Sequence, residues 1–162
     1  MKKQKTNAMR ILESNKIPYI EHEYEHRKDD PVDGIHVAQT IGEPVERVYK
    51  TLVCTGSDKD NYVFMIPVDQ ELDLKKCAKA AHLKHIEMLP LKDLTKTTGY
   101  IRGGCSPLGM KKVFKTWIQE DAMLYDTIFF SGGKIGLQIE ANANDLSKVI
   151  DIEFADLIKS AN

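Results

Sequence analysis

Two runs rich in β-branched and aromatic residues, "YKTLVCT" at 49–55 and "YVFMIPV" at 62–68, are separated only by "GSDKDN". Such side chains favour the pleated strand, and Gly, Ser, Asp and Asn close turns. The segment predicts a β-hairpin, and the rest of the chain must build a sheet around it. One residue in it is out of place. Lys50 alternates with Leu52 and Cys54, so it shares their apolar-looking face. An ammonium group there needs an anion, a carbonyl or a carboxylate beside it, or its proton leaves. The other reading is an edge lysine whose stem lies on apolar surface while its head bends into water.

The remaining segments alternate in type. "NAMRILESN" predicts a helix capped by Thr6 or Asn7, with Ala8, Ile11 and Leu12 on one face. "YIEHEYEH" has period two, which predicts a strand with Ile20, His22, Tyr24 and His26 on one side and three glutamates facing water. "DDPVDGIHVAQTIG" predicts a helix from about Pro31 to Gly42, with Val32, Ile35, Ala38 and Ile41 inward. Pro44 opens one further turn, and Asp73 caps a helix over "LKKCAKA". "HIEMLP", "KVFKTWI", "TIFFS" and "LQIEA" predict strands, and "LKDLTKT" a short helix. The C-terminal "NDLSKVIDIEFADLIKS" is expected to form two short helices or one kinked helix. The expected fold is a mixed α+β arrangement in the α/β class, one domain over residues 1–162 around a mixed sheet.

Composition narrows the function. A net charge of −1 excludes a wholly basic nucleic-acid binder, so anion binding must come from local patches. The three cysteines, Cys54, Cys77 and Cys105, have no CxxC spacing, which argues against a disulfide framework or structural zinc. Reduced thiols, no signal-like leader and no run of membrane-spanning length point to the cytosol and away from a membrane. His22 and His26 on a strand, and His82 and His85 at a helix end, match no zinc pattern, so no metal and no cofactor is expected. There is no GxSxG elbow.

Backbone freedom is concentrated in "GYIRGGCSPLGMKK" at 99–112, which holds four of the ten glycines. Gly103, Gly104, Ser106, Pro107 and Gly109 cannot form a regular helix or strand. Such a loop either makes a tight turn or presents successive amides as an anion nest or oxyanion hole. Ser131, Gly132 and Gly133 open a second turn, "SGGKIG". Hairpin chemistry accounts for it, and two such turns also suit two walls of one pocket. Cys105 has no sequence-near base to activate it. Lys75, Lys76, Lys79, Lys84, Lys111 and Lys112 are either solvated faces or an RNA-facing stripe.

Taken together in this order, "VYKTLV", "QELDLKKCAKA", "TTGYIRGGCSPLG" and "FFSGGKIGLQIE" resemble the YbaK/EbsC family of aminoacyl-tRNA deacylases. That family is similar to the editing domain inserted into bacterial prolyl-tRNA synthetases. The resemblance runs from "HEYEH" to "FADLIK" and implies the editing-domain fold, a mixed sheet or partly closed barrel surrounded by helices. It implies a free-standing editing enzyme that clears Cys-tRNA(Pro), with Cys-tRNA(Cys) as a further substrate. Cysteine and proline are near-isosteres, which a single pocket separates only modestly, so a second sieve is needed.

The resemblance makes Lys50 the key functional residue and places Tyr24, Thr51, Ser106, Pro107, Gly109, Ser131, Gly132 and Gly133 around the substrate. It implies that no protein nucleophile is used: the substrate's thiol attacks its own ester, giving a thiolactone and free tRNA. Lys50 is then expected to grip a phosphate or carbonyl of the terminal adenosine, and the amides around Gly103 and Gly104 to hold developing charge. The partners implied are the tRNA(Pro) acceptor end with its cysteinyl ester and prolyl-tRNA synthetase in a ternary complex. Cys105 stands where the family pattern has an aliphatic residue, and Gln138 where relatives often carry a carboxylate. These departures bear on amino-acid specificity. Three alternatives stay open beside the leading reading: a deacylase for alanine or another small amino acid on tRNA(Pro), a non-catalytic tRNA- or synthetase-binding module, and a phosphate-binding small-molecule receptor.

Overall fold

The computed structural model describes residues 5–160. In chain order the elements are α1 (Asn7–Ser14), β1 (Ile20–Glu23), α2 (Gly34–Ile41), β2 (Tyr49–Gly56), β3 (Asn61–Pro67) and α3 (Leu74–Ala80). They continue with β4 (Ile86–Met88), α4 (Leu94–Thr98), β5 (Thr116–Gln119), β6 (Ile128–Ser131), β7 (Leu137–Ala141) and β8 (Ile152–Ala155). The expected hairpin is the centre of a mixed sheet of order β4-β2-β3-β5-β8. β2 runs antiparallel to β3 and β4, whereas β5 is parallel to both β3 and β8. A second, antiparallel sheet has order β1-β7-β6.

The two sheets are joined where β2 begins. Val48 makes a single parallel bridge to Phe129. Beside it, Arg47 donates to the Thr127 carbonyl at 3.0 Å and lies over the Phe129 ring at 5.0 Å. The same guanidinium reaches the Glu140 carboxylate at 3.5 Å, which His22 approaches from β1 at 2.9 Å. Beyond that bridge β2 and β6 part. The barrel is therefore only partly closed.

Packing follows the alternation of the strands. One face of β2 and β3 sends Tyr49 and Met65 into a core with Phe130 and Ile139 of the second sheet, sealed by Ala8, Met9 and Leu12 of α1. The other face sends Cys54, Phe64 and Ile66 against Cys77 and Ala78 of α3. Local chemistry sets the helix ends. Thr6, Asp33 and Asp73 accept from the first-turn amides of α1, α2 and α3. Gly42 closes α2 at φ 73°, a left-handed conformation that disfavours a Cβ.

Several expectations are corrected. α2 starts at Gly34 rather than near Pro31, because Asp33 takes the cap; Val37 is buried in consequence and Ile35 is 42% exposed. The strand from "KVFKTWI" is only Thr116–Gln119. Tyr24 lies just past β1, although its amide still donates to the Gly136 carbonyl at 3.0 Å. The C-terminal segment is helical only at its start: after a short 3-10 helix at Asn144–Lys148 it forms β8, parallel to β5, in place of the expected second helical stretch. The Leu146–Ile150 spacing looks helical, but Ile152 and Phe154 alternate and pack on the core. Among the described residues no helix is long and apolar enough to cross a membrane.

Phe64 is fully buried and stacks on Trp117 with ring centroids 5.4 Å apart. Phe64→Ala is expected to cost about 3–5 kcal/mol, read as a lower urea midpoint at an unchanged slope.

Candidate active site

The divergence of the sheets leaves a strand edge open. β3 pairs with β2 from Tyr49 to Thr55, but on the other side β4 pairs only with Cys54–Gly56. Between the Val48 bridge and β4, the edge of β2 faces a cavity of about 630 Å³. That volume suits a small ligand held in a cleft. The cavity wraps the edge, so consecutive residues from both faces of the strand line it: Lys50 and Leu52 from one, Thr51 and Val53 from the other. Ser131 and Gln138 of the second sheet stand opposite, and Asp33 and Gly34 at the start of α2 form a third side. Gly34 is required there, since a Cβ would lie 2.2 Å from Val68 Cγ1.

Lys50 is half-buried and makes no hydrogen bond or ion pair among the described residues. Burial pushes its ammonium below the ordinary lysine range, and the fields of Glu71 and Asp69 offset this in part. A cation kept in a cleft without a bonded partner is available to a ligand. Its register opposite Ile66 puts it on the face of Leu52 and Cys54, as the alternation predicted.

The glycine segments meet, but only part of them reaches the cavity. Gly103 lines it at φ 84°, where a Cβ would lie 2.8 Å from Val32 Cβ. Bare backbone therefore forms that wall. Gly104 does not line it. Its amide donates to the Ile101 carbonyl at 3.0 Å, so it is not free to hold developing charge as expected. Its Cα instead packs closely on the second turn, where a Cβ would sit 3.0 Å from Lys134 Cα. Ser106, Pro107 and Gly109 are set behind the wall. Ser106 is buried and accepts from the Leu108 amide at 3.2 Å, and a Cβ on Gly109 would meet Tyr100 Oη at 2.7 Å.

In the second turn Ser131 lines the cavity while its hydroxyl accepts from the Gly133 amide at 3.2 Å. Gly132 and Gly133 shape the β6–β7 turn rather than the cavity wall. Tyr24 continues the His22 side of β1, the side that pairs with Gln138, but is not part of the lining. Sequence reasoning passed over Arg102, exposed at the mouth, and the apolar rim of Met88 and Leu91. The arginine beside the double glycine was the available signal; the rim had none. Lys76 is spent on Asp156 at 2.7 Å and on the Ile158 carbonyl, which removes it from any RNA-facing stripe. Among the described residues no group of three metal-ligating side chains converges.

The lowered Lys50 proton affinity has a signed consequence. The unfolded chain holds this proton to a higher pH than the folded chain, so the penalty is complete below the folded-state value, fades between that value and the ordinary lysine range, and is gone above it. Solvent screening at this half-buried site keeps the effect small. Lys50→Met is expected to raise stability by about 1 kcal/mol at neutral pH, with the gain shrinking as pH climbs toward the ordinary lysine range and lost above about pH 10. Urea unfolding at several pH values checks this.

The fold matches those of known proteins. The family model for the aminoacyl-tRNA editing domain matches residues 32–149. A protein named as a Cys-tRNA(Pro)/Cys-tRNA(Cys) deacylase, EbsC of Enterococcus faecalis, is 48% identical over 154 residues, covering 95% of this chain and 93% of that protein. A crystal structure described as a trans-editing enzyme for prolyl tRNA synthetase superposes with a TM-score of 0.79 at 21% identity, over 98% of this chain and all (100%) of the other. A hypothetical protein of known structure superposes with a TM-score of 0.82 at 14% identity, over 95% and 100% of the two chains. These two share the fold. With a family-model match that spans every residue lining the cavity and a relative 48% identical over nearly its whole length, the chain belongs to the aminoacyl-tRNA editing domain family.

Proposed function

We propose that this protein is a free-standing editing deacylase that removes cysteine from mischarged tRNA(Pro), and from tRNA(Cys) as a second substrate. The 48% identity to EbsC over nearly the whole of both chains supports the substrate class. One observation carries the chemistry: the cavity offers a cation but no activated nucleophile. Burial pushes the Cys105 thiol up to about 12, so it stays protonated at neutral pH. The Ser131 hydroxyl has no histidine among the residues lining the cavity, and the Asp33 carboxylate is occupied as a helix cap.

The nucleophile is then the substrate's own thiol. Its sulfur attacks the ester carbonyl, the carbonyl–oxygen bond to the ribose breaks, and the thiol proton ends on the released ribose hydroxyl. The product thiolactone hydrolyses in water. The protein's part is to hold the ester folded on itself and to place the Lys50 cation near the charge that develops. Arg102 at the mouth suits a phosphate of the acceptor end. With a net charge of −1 the chain has little non-specific attraction for RNA, which fits presentation of the tRNA by prolyl-tRNA synthetase in the cytosol.

The test is a deacylation assay with Cys-tRNA(Pro), Ala-tRNA(Pro) and 2-aminobutyryl-tRNA(Pro). Rapid loss of cysteine alone is expected, and Lys50→Ala should lower the rate by roughly 10²–10³-fold. Equal clearance of the 2-aminobutyryl ester contradicts thiol assistance. Clearance of alanine alone changes the substrate, and no clearance of any ester leaves a binding module.

A further inference from the structure

The hydrogen-bond pattern of β2 assigns a second role to its open edge. In an antiparallel ladder, successive residues point their backbone groups alternately toward and away from the partner strand. The phase of β2 is fixed by three bonds. Val68 donates to the Val48 carbonyl at 2.9 Å and Gly56 donates to the Asp60 carbonyl at 2.9 Å, so even-numbered residues of β2 face β3. Leu89 donates to the Val53 carbonyl at 3.0 Å from the opposite side, so odd-numbered residues face away. Tyr49, also odd, is opposite Pro67, which has no amide to give.

Thr51 is the odd residue between Tyr49, which adjoins the Val48 bridge, and Val53. Its amide and carbonyl both point out of the sheet where neither β4 nor β6 pairs with it, and Thr51 lines the cavity. Its hydroxyl oxygen is also buried without a partner. Backbone groups in a cleft are almost always paired, so a donor and an acceptor left side by side mark a place for a ligand that carries the complementary pair. An α-aminoacyl ester carries that pair. It has an amine and a carbonyl on adjacent atoms, in the order found in one residue of a strand.

We propose that the aminoacyl group of the substrate docks as a single strand residue against β2 at Thr51. Its α-amino group donates to the Thr51 carbonyl, and its ester carbonyl accepts from the Thr51 amide. The docked group fills the gap that opens between β2 and β6 past the Val48–Phe129 bridge. This rests on the deacylase reading above and extends it: the edge reads the main chain of the amino acid, and the surrounding side chains read the rest. The Thr51 amide then also stands at the carbonyl oxygen as charge builds on it. Side-chain replacement leaves the two backbone groups in place, so the test must reach the backbone.

The comparison is between Thr51→Val and the same variant in which the amide linkage at position 51 is replaced by an ester, which deletes one outward N–H and no β3 ladder donor. Two readouts are taken. One is kcat/KM on Cys-tRNA(Pro). The other is the affinity for 3′-(cysteinylamino)adenosine, a non-hydrolysable analogue, and for its desamino counterpart. The ester variant is expected to fall roughly 10²-fold below Thr51→Val in kcat/KM. Both proteins should bind the analogue more tightly than its desamino counterpart, with the ester variant weaker for each at a closely similar melting temperature. Equal rates and affinities in the two proteins overturn the proposal, as does equal binding of the analogue and its desamino counterpart. A wild-type protein that binds the analogue but clears no ester sinks the deacylase reading and leaves the docking geometry standing.

Discussion

A single β-bridge, Val48 to Phe129, decides what this molecule can do. Were β2 and β6 paired further, the two sheets would run together as a closed barrel and the edge of β2 would be saturated. Instead Arg47 clamps the junction by bonding to the Thr127 carbonyl and lying over Phe129, and the strands separate past it. The cavity is the consequence of that separation. Its floor is a strand edge, its walls are two glycine-containing turns and the start of a helix, and Lys50 brings a half-buried ammonium into it.

The same geometry explains why the site combines a cation with apolar neighbours. A strand edge exposes residues of both faces to one cleft, so Lys50 and Thr51 reach it together although they point to opposite sides of the sheet. Holding an ammonium there without a bonded partner costs stability, a common signature of a site kept for binding. On the proposed reading, the absence of an activated side-chain nucleophile among the lining residues leaves the chemistry to the substrate. Under that proposal discrimination follows from the chemistry, because an amino acid without a correctly placed nucleophile would be held but not cleaved.

Local signals made much of the fold legible. The "GSDKDN" hairpin, the Asp73 cap and the "LQIEA" strand each appear as the residues predict. What depended on distant partners was not legible. β8 exists because β5 offers it a parallel edge, and nothing within "DIEFADLIKS" announces that edge. At the site, the odd placement of Lys50 was visible as a break in an apolar face. The division of labour within the glycine run was not: Gly103 and Gly104 are neighbours, yet one lines the cavity and the other spends its amide on Ile101. The open edge at Thr51 is a property of sheet topology and is invisible to any local pattern.

The most direct test of the central claim, that the gap between the sheets is the aminoacyl site, is a crystal structure with 3′-(cysteinylamino)adenosine bound. The account predicts the cysteinyl group between Thr51 and Ser131, with the Lys50 ammonium in contact with the ligand and the adenosine toward the Met88 and Leu91 rim. Electron density for the ligand at the smaller cavity beside Lys5 and Tyr19, with the β2 edge left empty, would contradict it.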